Sequence, residues 1–471
     1  MSDLGAVAVA LGAALGAWLA VPVHGLVVAA GVGIAAVTRR TLPVVVAVGL
    51  LVTMLSARAV EGMSPPPVHR VGGVATLVTD PERVSGAVRV EVRLGARHLD
   101  AWARGPDATV LADRLAGERV VVQGTVGGRV PDWLRVRHVV SRLQIDELAP
   151  HDRGSPLARL ANLLRRTLTR GAASLDPDDR ALFTGLVIGD DREQSIETTD
   201  DFRGSGLSHL LAVSGQNVAF VLAVAAPLLS RLGLRTRLVG LGAVLLLFAT
   251  VTRYEPSVLR ATAMAGLAGV ATMVGRPVRS VRLLALAAAM LLVADPFLVR
   301  SVGFGLSVAA SAGIVTLSSR IADALPGPAS LRGPLSVVLA AQIGVAPLLL
   351  VWFDDLPIAT LPANLLAEPI AGFVMVWGAS AGTVAGLLPP VVGALVHLPT
   401  EVALWWIAGV ARRCTDARLG SLGPIAFGLA VVGGTIALSA RGRRPHLAAI
   451  GFGVVMAVLV TPAFATRARA P

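Results

Sequence analysis

Leu238-Val239-Gly240-Leu241-Gly242-Ala243-Val244-Leu245-Leu246-Leu247-Phe248-Ala249 carries no charged side chain, and the run Leu283–Ala294 repeats the pattern. A helix needs about 20 mostly apolar residues to cross the hydrocarbon core of a bilayer. Comparable runs recur along the 471 residues, 54% of which are apolar, and the mean hydropathy is +0.71. A soluble domain is about 45–50% apolar. In lipid every backbone polar group must bond internally, so a polytopic helical membrane bundle is expected.

Outward from these runs the chain divides into segments. Apolar stretches at 4–22, 25–38 and 41–57 open it, with Arg39 and Arg40 between the second and third. The opening Met1-Ser2-Asp3-Leu4 lacks a basic region, so the first stretch is expected to be a retained span rather than a signal peptide. Residues 1–60 form an N-terminal group of spans. After Pro65-Pro66-Pro67 the pattern changes to period two. Val88-Arg89-Val90-Glu91-Val92-Arg93-Leu94 and Leu134-Arg135-Val136-Arg137-His138-Val139-Val140 alternate as half-buried strands do. Gly72-Gly73, Gly95, Gly105-Pro106 and Gly127-Gly128 supply turns. About five short strands over 68–148 fit a small all-β barrel of the OB-like kind.

Residues 155–203 are expected to hold a basic amphipathic helix and a linker. Leu157, Leu160, Leu163, Leu164 and Leu168 recur at helical spacing beside Arg159, Arg165, Arg166 and Arg170. Two placements stand: on the membrane surface, or packed on the bundle. From 204 to 463 the chain is apolar again, with spans expected at 206–230, 238–252, 256–275, 283–299, 301–319, 335–352, 391–410, 423–440 and 445–463. The run from Leu356 to Leu388 is too long for one span and too short for two, and a re-entrant or broken helix is expected there. With the N-terminus in the cytoplasm, Arg39/Arg40, Arg231/Arg235/Arg237, Arg276/Arg279/Arg282 and Arg320/Arg332 fall inside. This puts the β-rich segment on the outer face. Beyond Asp355 the rule fails, because Arg412/Arg413 and Arg441/Arg443/Arg444 do not fit one count.

The net charge is +12 and all 42 basic residues are Arg. A GC-rich coding sequence produces the same composition, so arginine number alone does not point to phosphate. The single Cys414 excludes an intramolecular disulfide and a Cys-based zinc site. No metal-binding histidine run and no phosphate loop occurs, so no cofactor is expected and no ATP-driven step by that route.

Polar residues inside apolar segments carry the functional expectation, because such groups are costly in lipid and line cavities or bond to one another. The densest group is Gly204-Ser205-Gly206-Leu207-Ser208-His209 with Ser214-Gly215-Gln216-Asn217. On a continuous helix His209 and Gln216 would lie about 20° apart on one face. Gly215 permits a break that would expose backbone donors. Serine and glycine are also ordinary packing residues where membrane helices cross. Arg260 follows Pro256 by four residues and either snorkels or meets a phosphate. Gln342, Asn364 and Glu368 form a further group, in which Asn364 and Glu368 can also simply bond to one another. In the β segment, Trp102 and Trp133 are the only aromatic residues besides histidine, and there are 12 Arg against 10 acidic residues over 65–150. Trp133 with Arg135, Arg137 and His138 is the best nucleic-acid patch; a core role for the tryptophan competes with it.

Four motifs together resemble the ComEC-type competence family. Gly206-Leu207-Ser208-His209-Leu210-Leu211-Ala212-Val213-Ser214-Gly215 is similar to its GLSHLLAISG signature, and Leu182–Gly189 to its upstream stretch. Pro256-Ser257-Val258-Leu259-Arg260-Ala261 and Asp295-Pro296 with Gly303-Phe304-Gly305-Leu306-Ser307 resemble two further elements. Gln216-Asn217 replaces the usual Leu-His, and Gly305 stands where Gln is common. The C-terminal metallo-β-lactamase-like domain of many members is expected to be absent, making this a short form. The resemblance implies a multi-pass inner-membrane channel, not an enzyme, that takes up single-stranded DNA during natural transformation. Ser208, His209, Ser214, Gln216, Asn217, Arg260, Gln342, Asn364 and Glu368 would line it, and Trp102, Trp133, Arg135, Arg137 and His138 would contact DNA. The lipid bilayer, an outer DNA receptor and a cytoplasmic motor or single-strand-binding protein are the implied partners. A small-molecule or lipid transporter on the same scaffold is the alternative, and a membrane hydrolase using His209 or Glu368 a third reading.

Overall fold

Apolar runs become helices and most alternating stretches become strands in the computed structural model. Of the run 134–140 only Val139 and Val140 enter a strand, because Pro131 opens a short helix and turn over the residues before them. The structure describes residues 2–433 except Arg39, Ala212, Asp355, Arg418, Leu419, Pro424, Phe427, Ala430 and Val431. The helices are α1 (Asp3–Leu19), α2 (Gly25–Thr38), α3 (Thr41–Glu61), α4 (Pro106–Ala112), α5 (Asp132–Arg135), α6 (Pro156–Gly171), α7 (Pro177–Ile188), α8 (Ile196–Gly204) and α9 (Ser208–Leu211). They continue as α10 (Gly215–Leu229), α11 (Leu234–Val251), α12 (Pro256–Met273), α13 (Ser280–Ala294), α14 (Val302–Ala324), α15 (Ala329–Phe353), α16 (Thr360–Trp377), α17 (Thr383–Ala385) and α18 (Pro390–Asp416). Six membrane-length apolar segments occur among the described residues: α3, α11, α14, α15, α18 and the stretch Thr360–Ala385. The apolar helices α1, α2, α10 and α13 are shorter. The chain folds as two units, residues 1–167 with 221–305, and residues 168–220 with 306–471.

In the first unit, α1 and α3 pack closely because both offer small residues. A side chain at Gly16 would collide with the backbone of Gly49, and the Ser56 hydroxyl donates to the Ala17 carbonyl at 2.7 Å. Asp3, in the first turn of α1, binds Arg282 at 2.8 Å and Arg279 at 3.3 Å. The strands are β1 (His69–Leu77), β2 (Glu82–Val84), β3 (Ala87–Leu94), β4 (Arg97–Ala103), β5 (Arg119–Gly127) and β6 (Val139–Asp152). Strand β1 pairs with β3, β3 with β4, β4 in parallel with β6, β6 with β5, and β5 again with β1. Five strands thus close into a ring with one parallel pair, the OB-like barrel expected from the alternation; β2 extends β3 as a hairpin. Val90, Val92, Leu99, Ala101, Val120, Val122 and Leu143 fill the interior, and Met63 and Phe297, from outside the barrel segment, join them.

One carboxylate ties distant parts of this unit together. Asp80, after β1, receives Arg253 on both oxygens at 2.7 and 3.0 Å, and Arg165 of α6 at 2.9 Å. Arg165 also donates to the Val251 carbonyl at 2.9 Å, and Arg253 to Asn162 at 2.9 Å. Arg253 and Tyr254 hold left-handed backbone angles, φ 58° and 59°, which a network of this kind must maintain. Arg166 binds buried Glu118 at 2.6 Å. Arg165 and Arg166 of α6 therefore face ionic partners inside the protein, while Arg159, Arg170, Leu160 and Leu163 are exposed.

In the second unit, α14 and α15 cross at Gly313 and Gly344, where neither position has room for a side chain. The region expected to hold a re-entrant or broken helix is instead one helical stretch of 26 residues, Thr360–Ala385. A π-turn at Gly378–Gly382 lets it stay continuous, and both glycines lie against Phe183. It packs on α18 through Trp406 Nε1 donating to the Leu366 carbonyl at 3.0 Å and Trp377 Nε1 to the Val396 carbonyl at 3.1 Å. The single span expected at 206–230 is the reverse case, being split into α9 and α10. The expected spans at 423–440 and 445–463, with Asp355 and Arg441/Arg443/Arg444, lie wholly or largely outside the described residues.

Removing Asp80 leaves two buried guanidinium groups without their shared carboxylate. Asp80→Ala should destabilise the protein by about 3–5 kcal/mol, read as a lowered midpoint of chemical unfolding in detergent.

Candidate functional site

The second unit carries a polar seam along α16. It begins where the chain cannot remain helical: Ser205 closes α8, and Gly206 takes a left-handed angle, φ 76°. A side chain at Gly206 would collide with Thr360 Oγ1. Three residues on, His209 Nε2 lies 3.8 Å from Glu368 Oε1. Further along, a side chain at Gly372 would come within 3.9 Å of Gln216 Nε2. The approaches step along α16 from Thr360 to Gly372, about 18 Å at 1.5 Å per residue.

Exposed and buried groups divide the work on this seam. Ser208, His209 and Gln216 are exposed and Glu368 half-buried. Asn364 is buried between them and donates to the Thr360 carbonyl at 2.8 Å. Its Oδ1 and Thr360 Oγ1 are buried with no hydrogen-bond partner among the described groups. A buried polar atom in that state has paid desolvation without return, and such sites commonly accept a water or a polar solute.

Asn217 faces the other way from its neighbour Gln216. It is 2% exposed, its Nδ2 donates to the Leu186 carbonyl at 3.0 Å, and its Oδ1 accepts from Ser214 at 3.1 Å. Asn217 and Ser214 brace the start of α10, while Gln216 presents its amide. Gln342 lies half-buried on α15. Arg260 belongs to the first unit, on α12, where it is partly buried and reaches Met264 Sδ at 3.4 Å. Thr360 was not expected from sequence, although it stands four residues before Asn364 and so on the same helix face.

The other expected residues gather on the β barrel, in the first unit. Arg89 and Trp102 are directly opposed across β3 and β4. Asp100, 1% exposed, is their hub: it accepts from Arg89 at 2.7 Å and from Trp102 Nε1 at 2.8 Å. Arg142 of β6 stacks over Trp102 at 5.2 Å. The loop between β5 and β6, residues 128–138, lies across this face like a strap. Its Trp133 is 56% exposed and sits under the Arg89 guanidinium at 4.7 Å. Its Arg137 binds Glu91 at 3.2 Å. Arg135 is half-exposed and 3.7 Å from Asp132. Two tryptophans, each beside an arginine, therefore mark one face. Cross-strand register, legible only once pairing is known, is what adds Arg89 and Arg142 to the expected set. His138 does not join the face, because it turns toward Asp295 at 3.0 Å.

Alternation predicts Glu91 on the outside, yet the strap buries it. Burial pushes its carboxyl above the ordinary value of 4.5, against the opposing pull of Arg137 and Arg89. A raised carboxyl favours the folded state below its ordinary value, and that contribution is lost as pH rises through the raised value. Glu91→Gln should therefore reduce the fall in stability between about pH 4.5 and neutrality, measured by unfolding across that range. In the seam, Asn217→Ala should cost about 1–3 kcal/mol because it orphans the Leu186 carbonyl. Gln216→Ala should stay within about 0.5 kcal/mol, because its amide is exposed. Parallel unfolding curves compare the two.

Comparison with known proteins bears on the same segment. The family model described as Competence protein matches residues 186–444, more than half of the chain and all of the seam. ComE operon protein 3 of Bacillus subtilis (strain 168) is 31% identical over 261 residues, which cover 55% of this chain and 33% of that protein. The chain thus aligns with one third of the length of this curated relative. No solved structure matches. With its apolar helices and its match over residues 186–444, this multi-pass membrane protein belongs to the Competence protein family.

Proposed function

We propose that the protein passes single-stranded DNA across the inner membrane during natural transformation, as a channel. The observation that carries this reading is the seam, where exposed His209 of α9 and Gln216 of α10 approach Glu368 and Gly372 of the otherwise apolar α16, with Ser208 exposed beside His209. Membership of the Competence family supports a role in DNA uptake. A polyanion in a low-dielectric passage needs hydrogen-bond donors and no uncompensated carboxylate. Glu368 is half-buried with His209 Nε2 3.8 Å away, and Ser208 and Gln216 offer the donors. Asn364 and Asn217 hold the walls, Gln342 adds an amide from α15, and Arg260 offers a guanidinium within the first unit.

The barrel face supports an outer contact with the strand. Single-strand binders combine basic groups with stacking aromatics, and Trp133 and Trp102 with Arg89, Arg135 and Arg142 have that composition. The chain contains no phosphate loop, so a cytoplasmic motor or strand-capturing protein would supply the pull.

Deletion of the gene should abolish entry of labelled DNA into the cytoplasm. The double variant His209→Ala/Glu368→Ala should lower uptake roughly tenfold or more, equivalent to about 1.4 kcal/mol or more of barrier. Normal transformation in a clean deletion overturns the proposal. Solute flux through the purified protein in DNA-free liposomes would favour a small-molecule carrier instead.

A further inference from the structure

His138 ends the strap in an unusual way. Its backbone is left-handed, φ 64°, a conformation that a residue with a Cβ keeps only where its surroundings impose it. Its ring stacks on Phe297, centroids 4.7 Å apart and planes 16° apart. Its Nε2 lies 3.0 Å from Asp295 Oδ1. The same Asp295 oxygen accepts the Phe297 backbone N–H at 2.9 Å, so one carboxylate fixes both the imidazole and the ring on which it stacks. Phe297 is 3% exposed and part of the barrel core, which makes it a firm base.

Val130 and Leu134 of the strap pack with Val139 in a small buried cluster, but that cluster does not include His138. A cavity of about 260 Å³ lies beside the joint, walled by Val60, Met63, Val136 and Phe297 and edged by Arg135 and Arg300. Beyond that cluster, the strap is fastened by directional contacts: His138 with Asp295 and Phe297, Arg137 with Glu91, and Trp133 with Arg89. Only the first of these reaches outside the barrel segment, to the turn that follows α13.

We propose that Asp295 is a positioning residue for the strand-contact face, acting through His138 to fix the strap that presents Trp133 and Arg135. This rests on the reading that the barrel face meets DNA. It also gives the Asp295-Pro296 pair a task distinct from lining a passage. Asp295 touches no strand; it sets the angle at which another segment meets one.

The test uses the whole protein in detergent, with two readouts. Hydrogen exchange of residues 128–138, without DNA, should quicken in Asp295→Ala by roughly tenfold or more, while β1 and β5 stay protected. Asp295→Asn keeps an oxygen acceptor for His138 and for the Phe297 N–H, and should restore protection. In the second readout, a labelled oligothymidylate should bind Asp295→Ala several-fold more weakly with an unchanged salt slope, whereas Arg135→Ala should reduce the slope by about one. Unchanged strap exchange in Asp295→Ala overturns the inference. So does an Asp295→Asn protein as loose as the alanine variant. If Asp295→Ala loses its fold, His138→Ala replaces it, with the same expected exchange and the same overturning result. Absence of oligothymidylate binding by the unaltered protein overturns the strand-contact reading, while the exchange data still decide whether Asp295 holds the strap.

Discussion

Ionisable side chains in a lipid-solvated bundle must find their counter-charges within the protein, and that requirement organises this molecule. Asp80 gathers Arg165 and Arg253, Asp3 gathers Arg279 and Arg282, and Glu368 stands beside His209. The first pairing decides how α6 and the α11–α12 connection meet the barrel. The third marks the one described histidine–carboxylate pair on the seam of the second unit. Where charges pair completely the structure is rigid. On the seam the pairing is looser, with 3.8 Å between His209 Nε2 and Glu368 Oε1 and both side chains partly accessible.

Periodicity made much of this architecture readable. The period-two stretch 88–94 became a barrel strand whereas 134–138 became a helix and turn, apolar runs became helices, and the seam's central residues stood out as polar side chains in apolar surroundings. One glycine also gave a usable signal: Gly215, read as permitting a break, begins α10 after the short α9. Long-range pairing was not readable. Asp80 and Arg253 are 173 residues apart, and neither has a local pattern that names the other. The burial of Glu91 depends on a loop that begins 37 residues later, so alternation alone placed it wrongly. Asn217 and Gln216 look alike in sequence, yet only the position of the Leu186 carbonyl shows which one turns inward.

The helix Thr360–Ala385 illustrates the same limit. The length of the run around it suggested a break, and a π-turn keeps it continuous instead. Such a turn adds a residue to the helix without ending its hydrogen bonding, and the glycines there also admit Phe183. Continuity matters to the seam, because Thr360, Asn364, Glu368 and Gly372 share a face only while the helix between them stays intact.

The barrel's interior contains a residue that the chain supplies late. Phe297 belongs to the same apolar core as Val90 and Leu143, although 145 residues separate it from the last strand position, Asp152. During synthesis the six strands emerge from the ribosome long before that phenylalanine does. Until the turn after α13 has been made, the nascent barrel can close its ring of strands but lacks one of its core side chains.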